Sequence, residues 1–509
     1  MGQGVVYLVG AGPGDPKLLT VRGQELLQQA DVVAYDHLVS PRLLRTCAPR
    51  AKLVYVGKEP DRHTASQSAI NRLLVRAAKA GKTVVRLKGG DPFLFGRGGE
   101  EAVELRKAGV AYEVVPGVTS ALAVPAYAGI PLTYRSLSSS VAIVTGHEDP
   151  AKPESSVRWD RLATACDTLV CLMGVATLPA IAARLIRHGR KPATPCAVIE
   201  WGTCPGQRTV TGALRTIVKA ARAASIRPPA VLVVGDVVSL RRKLAWFESR
   251  PLFGKRILVT RASDKAAGFA DQLEALGADV VQLPAIELAP VKPNGLFRHA
   301  IIEQMPAIDW VFFTSPEGIG WFSKMLKSYR KDVRWLSGCH IAAIGPKTAV
   351  ALEERGLHVD FIPRRFSQEG VLQDFPRRIV RGKRALILSA EESRDVLSSG
   401  LRRRGMRVQK VPIYRTIIPK TLRDGVDAMA RQPFDFVTVT SASCVEHLAE
   451  ALQAAGRGAL FRRLRFASIG PVTSAAVRAR GGRVTIEART STMEGLIEAV
   501  VKRASNTSV

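Results

Sequence analysis

The chain has 509 residues, 46% hydrophobic and 23% charged, with a formal net charge of +30. That length exceeds one hydrophobic core, so about two to four domains are expected. The composition excludes general disorder, and no apolar run approaches the ~18–20 residues that span a bilayer. The basic balance leaves three explanations open: nucleic acid, a polyanionic small substrate, or a basic proteome. Lys and Arg are scattered, without a long basic tail or an aromatic-interleaved patch.

The opening Met1-Gly2-Gln3-Gly4-Val5-Val6 enters a strand with no basic leader, so a cytoplasmic location is expected. Val6 stands where a myristoylation signal needs Ser or Thr. The seven cysteines (Cys47, Cys166, Cys171, Cys196, Cys204, Cys339 and Cys444) include no Cys-x-x-Cys pair. Buried free thiols are expected rather than disulfides or zinc. His147-Glu148 lacks the second histidine of a zincin, and no metal site is expected.

In chain order, Val5 to Val9 reads as a strand ending in Gly10-Ala11-Gly12-Pro13-Gly14-Asp15. This is Gly-x-Gly-x-Gly rather than the dinucleotide fingerprint, and Pro13 removes an amide that a phosphate would use. A helix fits Thr20 to Gln29 with Thr20 as N-cap. Asp31 to Tyr35 is the next strand, with Asp36 at its C-terminal end. An acid there, about 20 residues past the glycines, is also where a Rossmann dehydrogenase holds a ribose, which stays as an alternative. Lys52 to Val56 is a strand ended by Gly57-Lys58, and Ser66 to Ala80 carries apolar residues at helical spacing.

Next comes the richest stretch, Arg86-Leu87-Lys88-Gly89-Gly90-Asp91-Pro92-Phe93-Leu94-Phe95-Gly96-Arg97-Gly98-Gly99-Glu100-Glu101. Thr83 to Leu87 suits a buried strand. Gly89-Gly90 lets a ligand approach the main chain. Asp91 sits where an open α/β sheet binds ligands, and Glu100-Glu101 suit a helix start. Tyr112 to Val115 runs into Pro116-Gly117-Val118-Thr119-Ser120. Ile130-Pro131-Leu132-Thr133 reads as a hinge to a second lobe that runs through strand stretches at Ser140–His147, Thr168–Gly174, Ala197–Thr203 and Ala230–Val238. Strands alternating with helices predict α/β throughout.

The Val-Arg-Leu-Lys-Gly-Gly-Asp-Pro-Phe stretch, with these junctions in order, resembles uroporphyrinogen-III C-methyltransferase, a tetrapyrrole methyltransferase, over about residues 4 to 247. The resemblance implies the two-lobed α/β tetrapyrrole-methylase fold in a domain spanning 1–248. It implies two methyl transfers from S-adenosylmethionine to uroporphyrinogen III, giving precorrin-2. Cofactor contacts fall by resemblance on Pro13, Gly89, Gly90, Asp91, Leu94, Thr119, Ser120, Met173 and Gly202. An acid/base pair falls on Asp36 and Lys58. A homodimer through this domain is also implied. A different tetrapyrrole methyltransferase, acting on a later corrin, is the alternative within this class.

Glu248 to Lys255 is a polar break bearing Pro251 and Gly254, and a domain boundary is expected there. The rest contains an internal repeat. Asp309–Ser315 precedes His340–Thr348, and Asp435–Ser441 precedes Phe466–Thr473. Thr314 to Gly345 is 31 residues (345 − 314) and Thr440 to Gly470 is 30 (470 − 440). Each copy is a strand ending in Thr-Ser, a helix, then a strand ending in Gly-Pro-x-Thr. Hydroxyls and helix N-terminal amides could face an anion, or Thr and Ser could simply cap helices. Pro284–Glu287 and Val411–Tyr414 are expected as the crossings between two lobes.

This arrangement resembles uroporphyrinogen-III synthase over about residues 255 to 505, with lobe 1 at 255–288 plus 417–505 and lobe 2 at 292–412. It implies cyclisation of hydroxymethylbilane to uroporphyrinogen III. Tyr414 would assist the leaving group, and Thr314, Ser315, Thr348, Ser441 and Thr473 would bind substrate. Arg261 and Arg394 would pair with carboxylates. Leu388–Arg394 lacks the glycine expected before its arginine. The expected partners are these small tetrapyrroles, with no nucleic acid and no membrane. A C-terminal half that only binds tetrapyrrole or regulates, even by binding DNA, is the competing reading.

Overall fold

The computed structural model describes residues 4–57, 66–147, 156–261, 263–291 and 298–506. Its contacts divide the chain into two compact units: residues 1–255 with 274–279, and residues 256–273 with 280–509. Four five-stranded sheets occur among the described residues, two in each unit. Both units are α/β.

In the first unit, β1 (Val5–Gly10), β2 (Val32–Tyr35), β3 (Lys52–Tyr55), β4 (Val84–Lys88) and β5 (Ala111–Val115) form a sheet of order β3-β2-β4-β1-β5. All its pairings are parallel. Apolar side chains cover both faces, as a parallel sheet requires. The order places β1 beside β4, and their outgoing connections run to opposite faces. Their carboxyl ends therefore open a crevice, the usual ligand position in such sheets. The helix Val21–Gln29 starts at Thr20, whose side chain accepts from Gly23 N at 3.1 Å.

The second sheet has β6 (Val141–Thr145), β7 (Thr168–Leu172), β8 (Pro195–Glu200), β9 (Arg208–Ala213) and β10 (Ala230–Val234), ordered β6-β7-β10-β8-β9. It is mixed: β10 is antiparallel to both β7 and β8, and β9 is antiparallel to β8. The helix Ser120–Tyr127 follows β5 yet buries Ala121 and Val124 against Val170, Ile199 and Val231 of this second sheet. One element thus spans the two lobes.

The second unit repeats one plan twice. β11 (Arg256–Val259), β12 (Asp279–Gln282), β18 (Phe436–Val439), β19 (Arg465–Ser468) and β20 (Arg483–Glu487) are ordered β12-β11-β18-β19-β20. β13 (Glu287–Pro290), β14 (Trp310–Phe313), β15 (His340–Ala343), β16 (Arg384–Ala390) and β17 (Arg407–Ile417) are ordered β13-β17-β16-β14-β15. The repeat is visible in the caps. Ser315 and Ser441 open the helices Pro316–Ser328 and Ala442–Ala454 with φ −161° and −160°, each accepting from its own helix. Val411–Tyr414, read from sequence as a crossing, lies inside β17. The chain leaves that sheet only after Ile417, and β17 pairs antiparallel with β13 from Tyr414 to Ile417.

Candidate functional site

The crevice of the first unit is built from backbone. Gly12 and Gly90 exchange main-chain hydrogen bonds, at 3.2 Å from Gly12 N and 2.7 Å from Gly90 N. A Cβ on Gly10 would lie 2.5 Å from Gly117 Cα and 2.7 Å from Gly90 O. Three strand ends therefore touch through glycines, and no side chain fits between them. Gly90 itself has φ +69°, and a Cβ there would meet nothing closer than Ser120 N at 3.8 Å, an ordinary contact. Gly89 sits tight against Leu38, whose Cβ would be 2.6 Å from an added Cβ.

Asp91 is engaged with backbone. One carboxylate oxygen accepts from Phe93 N at 2.8 Å and Leu94 N at 3.0 Å, and the other from Gly117 N at 3.0 Å. It binds the β4 loop to the β5 loop. Thr119 caps its helix by accepting from Ala121 N at 3.3 Å, and Ser120 is that helix's first residue. Pro13 and Leu94 are half-buried beside these loops.

The second lobe faces this crevice with its own strand ends. Met173 follows β7 with φ +57° and is half-exposed. Trp201 and Gly202 follow β8, and a Cβ on Gly202 would collide with Val124 of the spanning helix. Asp15 N donates to Thr203 Oγ1 at 3.1 Å, while Asp15 Oδ2 accepts from Tyr127 OH at 2.8 Å. His37 and Trp201 meet edge to face at 6.3 Å. The structure thus brings together Pro13, Asp36, Gly89, Gly90, Asp91, Leu94, Thr119, Ser120 and Gly202, with Met173 on the same edge of the second sheet. Lys58 lies outside the described residues.

Beneath Asp36 lies a buried charge cluster that sequence reasoning passed over. Arg86 and Lys88 alternate on β4 and are each 4% exposed; Glu101 is 0% exposed. Glu101 accepts from Arg86 Nε at 3.2 Å, from Lys88 Nζ at 3.1 Å and from Gln67 Nε2 at 3.1 Å. Arg86 also reaches Asp36 Oδ2 at 3.5 Å. Burial, followed by the Arg86 charge, pushes the Lys88 ammonium below its ordinary range. The signal was legible: two cations two residues apart in an apolar strand lie on one face and demand an acid.

In the second unit, Ser315 Oγ and Tyr414 OH share a hydrogen bond of 2.9 Å, and Ser315 Oγ also accepts from Gly318 N at 3.2 Å. Burial raises the Tyr414 phenol; the Ser315 bond opposes this, and Glu392 adds to it. Thr314 Oγ1 donates to Leu388 O at 3.0 Å. Thr348 and Thr473 are buried in the first turns of their helices. Ser441 caps its helix through Cys444 N at 3.2 Å. Arg261 lies against Met493 Sδ, and Arg394 is an exposed partner of Glu369 at 2.8 Å. Within this set, Ser315 and Tyr414 are joined by a side-chain hydrogen bond. Among the described residues no cluster of metal-ligating side chains occurs, and no helix is long and apolar enough to cross a membrane. The seven cysteines are free, and burial pushes Cys171 and Cys196 up to about 12.

A glycine-lined crevice between two α/β lobes, followed by a duplicated α/β unit, defines a two-unit α/β protein with a ligand crevice at its strand ends. Residues 5–218 match the model for Tetrapyrrole (Corrin/Porphyrin) Methylases, and residues 267–498 match that for Uroporphyrinogen-III synthase HemD. The chain is 39% identical over 447 residues to the porphyrin biosynthesis protein HemD of Ruminiclostridium josui, covering 88% of each chain. It is 40% identical over 384 residues to a uroporphyrinogen-III C-methyltransferase of Bacillus subtilis, covering 75% of this chain and 76% of that one. The uroporphyrin-III C-methyl transferase of Thermus thermophilus, solved complexed with S-adenyl homocysteine, is 45% identical over 46% of this chain and 99% of its own, with a TM-score of 0.40. The chain belongs to the tetrapyrrole-biosynthesis family in which a tetrapyrrole methylase domain precedes a HemD-type uroporphyrinogen-III synthase domain.

Proposed function

We propose that this enzyme cyclises hydroxymethylbilane to uroporphyrinogen III in its second unit. Its first unit then methylates that product twice, giving precorrin-2. The observation that carries this reading is the joining of the two family matches in one chain. The product named by one match is the substrate named by the relatives of the other.

The crevice fits S-adenosylmethionine. Gly90 leaves backbone open to a ligand, Met173 and Leu94 offer apolar contact, and Thr119 and Ser120 bring a hydroxyl and a helix start. When bound, S-adenosylmethionine supplies a methyl group on a positively charged sulfur. The electron-rich pyrrole carbon is the nucleophile, so the protein aligns the reactants and handles a proton. Asp36 accepts the proton that the ring sheds after the new carbon–carbon bond forms. Asp91 holds two crevice loops in register and keeps acceptor capacity for the cofactor beside them. Lys58 is assigned as partner to Asp36 from the family pattern. In the second unit, Tyr414 donates its phenolic proton to the hydroxyl that departs as water, and Ser315 orients it.

The test is one coupled assay with the whole chain, hydroxymethylbilane and S-adenosylmethionine, read by absorbance and mass. A macrocycle carrying two added methyl groups is expected without another synthase. Unmethylated uroporphyrinogen III would remove the first assignment. Methylation only when uroporphyrinogen III is supplied would reduce the second unit to a binding module.

A further inference from the structure

The four charges around Arg86 balance only as a set. Arg86 and Lys88 contribute two positive charges, Glu101 one negative charge, and Asp36 the other. A buried surplus cation is costly, and Asp36 is the acid that faces the free end of Arg86. The geometry adds direction. Arg86 Nε donates to Glu101, Nη1 donates to Ala34 O at 3.3 Å and Leu87 O at 3.0 Å, and Nη2 faces Asp36. Its plane is fixed from three sides. The second Asp36 oxygen, Oδ1, accepts from Leu38 N at 3.1 Å. An ionised carboxylate has about four acceptor positions, so acceptor capacity remains at this partly exposed group.

We infer that Arg86, locked by Glu101, is a positioning residue for methyl transfer: it aims the Asp36 carboxylate and balances its charge. This rests on Asp36 being the proton acceptor. Lysine could not replace Arg86, because one ammonium cannot serve Glu101, two carbonyls and Asp36 in fixed directions. Lys88 does not substitute either, since its ammonium is spent on both Glu101 oxygens at 3.1 Å. The charged groups facing Asp36 among the described residues are Arg86 and Lys88 from β4, with Glu101 behind them.

The experiment uses the full chain with supplied uroporphyrinogen III and S-adenosylmethionine. It compares Arg86→Lys, the double variant Arg86→Gln/Glu101→Gln, and Asp36→Asn. The double variant keeps Lys88 and Asp36 in balance, and Arg86→Lys keeps a cation beside Glu101, so folding is protected in two ways. Rates are taken across pH, with KM for both substrates and a melting temperature. A kcat loss of about 10- to 100-fold is expected in both Arg86 variants, with KM within about threefold. A kcat loss with KM held marks misplacement of the proton acceptor rather than loss of substrate binding. Wild-type kcat in a folded Arg86 variant would overturn the inference. An Asp36→Asn enzyme that keeps its rate would instead overturn the proton-acceptor reading beneath it.

Discussion

Tyr414 and Asp91 show how one side chain's surroundings decide its use. The raised Tyr414 phenol stays protonated to higher pH in the folded chain than in the unfolded one. Its contribution to stability is therefore complete below about pH 10 and is lost as pH rises through the folded value. Urea unfolding between pH 8 and 11 should show stability falling in the alkaline range, and falling less in Tyr414→Phe; equal slopes would contradict this. Asp91 was legible as important from Gly-Gly-Asp-Pro, because a carboxylate after a strand suggests a ligand. Its donors Phe93 N and Leu94 N are local, but the third, Gly117 N, became visible only once the loop after β5 was placed, since Gly117 is 26 residues away. Likewise Ser315 and Ser441 read equally as anion donors or caps, and both cap their helices.

Close contact between elements fixes which residues the junctions tolerate. Gly10, Gly90 and Gly117 let three strand ends meet. A Cβ on Gly117 would lie 2.6 Å from Gly10 Cα and strike Gly90 O. Gly117→Ala should cost about 1–3 kcal/mol, the usual scale of overpacking, and weaken S-adenosylhomocysteine binding more than tenfold. Thermal melts and calorimetry check both; wild-type affinity would place the ligand elsewhere. The strands themselves were largely legible, because parallel sheets buried on both faces leave apolar runs. The strands β9, β12, β13, β16, β17 and β20 were not read from the sequence. β9 is a partly exposed edge strand with weak alternation. β17 was read as a crossing at Val411–Tyr414, yet Pro412 sits inside it where the ladder with β16 slips between Ser389 and Ala390, a place that tolerates a missing amide.

For the molecule as a whole, the two units carry separate cores and share the tryptophans equally. Trp159, Trp201 and Trp246 belong to one, and Trp310, Trp321 and Trp335 to the other. Guanidinium unfolding should show two steps, and S-adenosylhomocysteine should move only the step of residues 1–255. A single step, shifted as one, would show the units to be energetically fused. Strand direction in the second sheet was beyond the sequence, since β10 reads the same parallel or antiparallel. The +30 charge is consistent with a polyanionic substrate, but no single cluster accounts for it.

The second unit's outer sheet is assembled from both ends of its sequence. Thr260 Oγ1 donates to Thr438 O and Thr438 Oγ1 donates to Leu258 O, tying the end of β11 to β18 across 178 and 180 residues. During synthesis at about 5–20 residues per second, β11 emerges on the order of 10–35 s before its partner exists. The inserted sheet, β13 to β17, is complete before β18 is made. A ribosome that stalls in that interval would carry a finished inner lobe and an orphan strand, a species open to chaperones and proteases that the mature chain never presents.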